Sequence, residues 1–112
     1  MTKIVINDCY GGFSLSKKAA EILAEVGVAE AAKELKELEE YPVTEAVRIY
    51  NLPRHDSRLV DVVEQLGEEA NGPYAKLKVV EITEDRYRVC EYDGIEWVET
   101  PNSMELEWVI VK

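Results

Sequence analysis

The stretch Asn7-Asp8-Cys9-Tyr10-Gly11-Gly12-Phe13-Ser14-Leu15-Ser16 constrains this chain most, because two adjacent glycines stand where an apolar strand has to turn into a helix. The preceding run Lys3-Ile4-Val5-Ile6 is short and β-branched, as a buried strand requires, and Asn7-Asp8 favour its ending in a turn. Gly11 and Gly12 permit positive φ and close backbone approach, and Ser14 or Ser16 can accept a hydrogen bond from an orphan amide of the following helix. Such a unit directs free N–H groups at one point, the generic geometry of an anion site.

The stretch matches neither the Gly-x-Gly-x-x-Gly dinucleotide pattern nor the Gly-Lys-Ser/Thr ending of a phosphate loop. Its plainer reading is a tight turn with Cys9, Tyr10 and Phe13 in the core. Lys17 and Lys18 favour the ligand reading, since each is disfavoured by about 0.3–1 kcal/mol in an exposed first helical turn. A bound anion, or simple solvation of the two long side chains, accounts for them.

The rest of the chain predicts an α+β fold in one domain spanning residues 1–112, two layers deep, with a mixed or antiparallel sheet of about five strands and about three helices on it. A first helix is expected over about 17–26, with Ala19, Ile22, Leu23 and Val26 on one face and Gly27 as its C′ residue. A second, over 29–40, presents Ala32, Leu35 and Leu38. Residues 46–50 alternate as a strand, parallel to the first if Gly27 only bends the helices and antiparallel if it makes a tight hairpin. Asp56 or Ser57 caps a third helix whose apolar face is Leu59, Val60, Val62, Val63 and Leu66, closed by Gly67.

A meander follows, with strands over 77–82, 87–92 and 95–99, an Asp93-Gly94 turn of type I′, and a closing strand over 104–110. Tyr92, Trp97 and Trp108 are expected between sheet and helices, although Tyr10 and Trp97 could instead form a stacking platform for a base. In the parallel arrangement Arg54 and Arg58, at the start of the third helix, converge on Lys17 and Lys18 at one sheet edge. Otherwise they pair with nearby carboxylates.

Charge narrows the partner classes. With 23 acidic and 13 basic residues, and a net charge of −10, the chain lacks the basic footprint of a direct nucleic-acid binder. An acidic surface, dense over residues 30–40, can instead imitate nucleic acid and block a protein that binds it. No apolar run approaches the ~18 residues of a membrane span, and Met1-Thr2-Lys3 leads straight into a strand, so the expected location is cytoplasmic. Cys9 and Cys90 lack zinc-site spacing and are read as reduced thiols. No cofactor or metal is expected.

The segments spanning residues 3–16, Pro53-Arg54-His55-Asp56-Ser57-Arg58-Leu59-Val60, Leu66-Gly67-Glu68-Glu69-Ala70-Asn71-Gly72 and Glu91-Tyr92-Asp93-Gly94 together resemble a group of small bacteriophage- and prophage-encoded proteins of uncharacterised activity. The resemblance covers most of the chain outside the second helix and final strand. It implies a phage or prophage origin and carries over no catalytic residue.

Three functions follow. The first is binding of a small anionic ligand, such as a nucleotide, by Asn7, Cys9, Tyr10, Gly11, Gly12, Ser14, Ser16, Lys17, Lys18, Arg54 and Arg58. The second is an acidic phage protein that binds and inhibits a host protein. The third, ranked last, is an enzyme with Cys9 as nucleophile and Asp8 or His55 as base.

Overall fold

A computed structural model describes residues 2–40, 47 and 52–101, with backbone alone at 38–40. Strand β1, Thr2–Asn7, buries Ile4, Val5, Ile6 and Asn7, as its β-branched run requires. It pairs antiparallel with β2, Leu77–Ile82, in unbroken register from Thr2↔Ile82 to Asn7↔Leu77. Helix α1, Lys17–Glu25, starts on Ser16, whose hydroxyl accepts from the Ala19 amide, and the chain turns at Gly27 (φ +94°) into α2, Ala29–Glu40. Helix α3, Ser57–Leu66, is capped by Asp56 and leads into a 3-10 turn, Gly67–Ala70. Strands β3, Arg88–Tyr92, and β4, Ile95–Glu99, form a hairpin in which Asp93 (φ +50°) and Gly94 (φ +96°) make the expected type I′ turn.

Among the described residues the fold is α+β with helices α1–α3, and no single five-stranded sheet forms. The described strands make two separate antiparallel pairs, β1–β2 and β3–β4. Among the described residues, a loop carbonyl and a side chain meet the second edge of β1. The Val5 amide donates to the Arg54 carbonyl (2.9 Å), and the Asn7 amide donates to the Glu96 carboxylate of β4 (2.8 Å). The expected strand 104–110 lies outside the described residues, as does 46–50 apart from Val47. That residue is fully buried and exchanges both backbone hydrogen bonds with Leu15.

The apolar core joins Val5, Leu15, Leu23, Val28 and Val47 to the inner faces of α1 and α3. Full burial of Leu15, Leu23 and Leu59 contributes roughly 1.5–3 kcal/mol each. On α3 the expected face is the one that packs, with Leu66 at its half-buried margin. On α1 the expected face packs, with Ala19 and Leu23 buried and Ile22 against the core; Ala20 joins them, and Val26, the C-cap, is exposed. On α2 Leu35 packs against the core as expected, Ala31 is buried and Ala32 is exposed.

The aromatic expectations are corrected more sharply. Tyr10 (67% exposed) lies on the surface instead of in the core, and so do Tyr92 (70%) and Trp97 (41%). In β4 it is Glu96 that points inward. Its neighbour Trp97 points outward, since successive side chains on a strand face opposite ways.

Candidate functional site

Three loops meet beside the end of β1, and Asn7 holds them. Its carboxamide NH2 donates to the carbonyls of Cys9 and Gly94, each at 2.8 Å, while its oxygen accepts from the Lys76 amide at 2.8 Å. The turn after β1, the approach to β2 and the hairpin turn are thus tied to one fully buried side chain. An amide suits that position because it donates twice and accepts twice.

The glycines let the same three segments touch. A Cβ on Gly11 would overlap the carbonyl and side-chain base of Tyr74, and a Cβ on Gly94 would overlap the Tyr10 carbonyl and the Gly12 amide. Gly72 is similarly pressed against Ser14. Backbone therefore closes one side of Gly11, which is otherwise exposed, while Gly12 (φ +90°) faces open space. From this junction Tyr10, Tyr74 and Tyr92 project at 67%, 76% and 70% exposure. The carboxylates of exposed Asp8, Glu91 and Asp93 belong to the same segments, with Glu91 accepting from the Gly94 amide at 2.8 Å.

The residues expected to hold an anion are distributed differently. Asn7, Cys9, Tyr10, Gly11, Gly12 and Ser14 gather at the junction, whereas Ser16 caps α1 and donates to the Glu69 carbonyl at 2.6 Å. Ser14 is buried. Three of the four basic side chains already hold carboxylates. Lys18 pairs with Glu69 (2.8 Å), Arg58 with its own helix cap Asp56 (3.0 Å), and Arg54 with Glu96 through two bonds of 2.6 and 2.9 Å. Lys17 is exposed.

The Arg54–Glu96 pair does the docking of the hairpin. Its guanidinium also donates to the Val5 carbonyl (3.2 Å) and lies 3.6 Å over the Phe13 ring. Next to it, His55 Nδ1 and the Tyr87 hydroxyl are 2.6 Å apart with their rings edge to face. Burial holds the Tyr87 hydroxyl above its ordinary pKa.

Neither thiol is set up as a nucleophile by these contacts. Cys9 donates to the Tyr74 carbonyl (3.1 Å) and meets the Asn7 carboxamide oxygen (3.5 Å), both neutral acceptors, while His55 is engaged with Tyr87. Burial, then the Glu99 carboxylate, pushes the Cys90 thiol up. Arg88 holds Glu99 below the usual carboxylate range. Among the described residues no group of three His, Cys, Asp or Glu side chains is placed to hold a metal ion, and no helix is long and apolar enough to cross a membrane.

Open cavities elsewhere include one of about 170 Å3 lined by Gly27–Glu30, Leu52 and Arg58, and two larger ones. One of about 250 Å3 is lined by Arg86–Arg88 and Glu99–Pro101, and one of about 320 Å3 lies between Lys3, His55 and the Asp61–Glu64 side of α3. Gly11 and Gly12 line none of these. No protein-family model matches this chain, and no curated protein or solved structure matches it.

Residue-by-residue reading overlooked Glu96 and Tyr74. A glutamate in an alternating strand reads as solvent-facing, and a tyrosine after Gly-Pro reads as loop. The one usable signal was Gly72, which marks close backbone approach in the loop carrying Tyr74.

Proposed function

We propose that this protein is a binding module that docks on another protein through the tyrosine-bearing junction. The observation carrying the reading is that Tyr10, Tyr74 and Tyr92 stand exposed on segments locked together by Asn7 and by glycine contacts. Exposed aromatic side chains on a rigid backbone supply contact area with little ordering cost, the composition of interface hot spots. Following the resemblance to phage proteins, the partner class is a host protein, and inhibition follows from its occlusion.

The small-anion reading receives less support, because Lys18, Arg54 and Arg58 are each bound to a carboxylate. The test is capture from host lysate by the wild-type chain and by a Tyr10→Ala/Tyr74→Ala/Tyr92→Ala variant, with folding followed by circular dichroism. The reading expects a partner retained by the wild type and lost by a folded variant. Equal capture by both chains removes the junction as the docking face.

A further inference from the structure

We infer that the segment received by the tyrosine junction presents arginine side chains. This deepens the docking reading and rests on it. The junction combines two groups that a guanidinium uses together: the exposed rings of Tyr10, Tyr74 and Tyr92, and the exposed carboxylates of Asp8 and Asp93 beside Tyr10 and Tyr92 in the chain. Guanidinium stacks on aromatic faces and pairs with carboxylates in one plane, whereas an ammonium is a compact, strongly hydrated charge.

The protein already contains this arrangement internally. Arg54 lies 3.6 Å over the Phe13 ring while its two terminal nitrogens hold Glu96 at 2.6 and 2.9 Å. The junction carries the same two kinds of group, exposed rings and exposed carboxylates, on neighbouring segments. Lys76 is the one cation between Tyr74 and β2, so carboxylates outnumber ammonium groups across the three segments.

Charge disfavours two competing occupants. A second copy of a chain of net charge −10 is repelled over distances set by the Debye length, and a nucleic-acid backbone is repelled in the same way. Of the classes left, a cationic protein segment answers both the rings and the carboxylates.

The experiment titrates the full chain with three synthetic twelve-residue peptides of one Gly/Ser background, carrying four arginines, four lysines or four citrullines. Ring and amide NMR shifts of the protein are followed. The arginine peptide is expected to move the Tyr10, Tyr74 and Tyr92 rings and to bind about fivefold more tightly than the lysine peptide. The citrulline peptide is expected to lose most of that binding, and Tyr74→Ala and Tyr92→Ala to weaken the arginine peptide severalfold.

Equal binding of the arginine and lysine peptides overturns the inference, leaving only net charge. Shifts confined to the glutamates of α2 overturn it as well. If the arginine peptide leaves all three rings unmoved while the triple tyrosine variant still loses its lysate partner, the arginine assignment fails and docking stands. Undiminished lysate capture by that variant defeats both.

Discussion

The helical half and the β3–β4 hairpin are held by different forces. Around α1, α3 and β1 the contacts are apolar, with Val5, Leu15, Leu23, Leu59 and Val63 in one cluster. No residue of β3 or β4 belongs to that cluster. The hairpin is fastened instead by Glu96 to Arg54 and the Asn7 amide, by Asn7 to the Gly94 carbonyl, and by Tyr87, just before β3, to His55. Apolar packing is forgiving of small shifts in direction, whereas a network of buried polar groups demands every partner. The hairpin's position is thus specified narrowly by a few side chains, and its aromatic outer face is left free of core duty.

The contrast is broken most severely at Glu96. Glu96→Ala leaves the Arg54 guanidinium and the Asn7 amide without their acceptor, and an expected loss of about 3–5 kcal/mol appears in denaturant unfolding. Hydrogen exchange in β3 and β4 should accelerate beyond that in α1. The double variant Arg54→Leu/Glu96→Leu is expected to regain a large part of the loss, since no buried charge remains unpaired.

Leu23→Ala tests the other half. Removing a fully buried leucine costs about 2–4 kcal/mol and lowers all probes together, with no selective change in the hairpin. Gly94→Ala is expected next, at about 1–3 kcal/mol, because the added methyl overlaps the Tyr10 carbonyl and Gly12 amide and its φ of +96° is unfavourable to alanine. Its signature is movement of Tyr10 and Tyr92 resonances with little change in α3.

Acidification sharpens the distinction by a smaller amount. The Arg58 side chain, and then backbone amides of the first helical turn, hold Asp56 below its ordinary pKa, so its contribution is complete above pH ~4. As pH falls further, the unfolded state takes up the proton first and that contribution is lost as pH passes through the lowered folded value. Thermal unfolding is expected to be flat between pH 5 and 7 and to fall towards pH 3. Asp56→Asn, which keeps a capping oxygen, should flatten its share of the slope.

The smallest effect is expected at Lys18. Both members of its ion pair with Glu69 are well exposed, so Lys18→Ala should leave the melting temperature unchanged. Phosphate, sulfate and nucleotides are expected to leave the amide shifts of residues 9–18 unmoved. Movement there would restore a small anion as the ligand of this turn.

Local signals in the sequence located helices α1, α2 and α3. Ser16 and Asp56 cap, Gly27 and Gly67 terminate, and the spacing of Leu59, Val60, Val62 and Val63 names the buried face of α3. The Asp93-Gly94 turn was equally legible, because both residues must take positive φ and few dipeptides allow it. Aromatic placement was not. Ile95-Glu96-Trp97 has the alternation of a half-buried strand whichever face is buried, and taking tryptophan as the inward residue gives the wrong side.

By itself, then, the sequence determined the local elements and the overall negative charge, both being properties of neighbouring residues or of composition. Tertiary structure decided which face of the hairpin turns inward, since Glu96 can be buried only where Arg54 and the Asn7 amide arrive from distant segments to receive it. It also decided the fate of the paired glycines. Their flexibility suits close backbone approach, and only the fold brings Tyr74 against Gly11 and Gly94 against Gly12, with three tyrosines exposed around the contact.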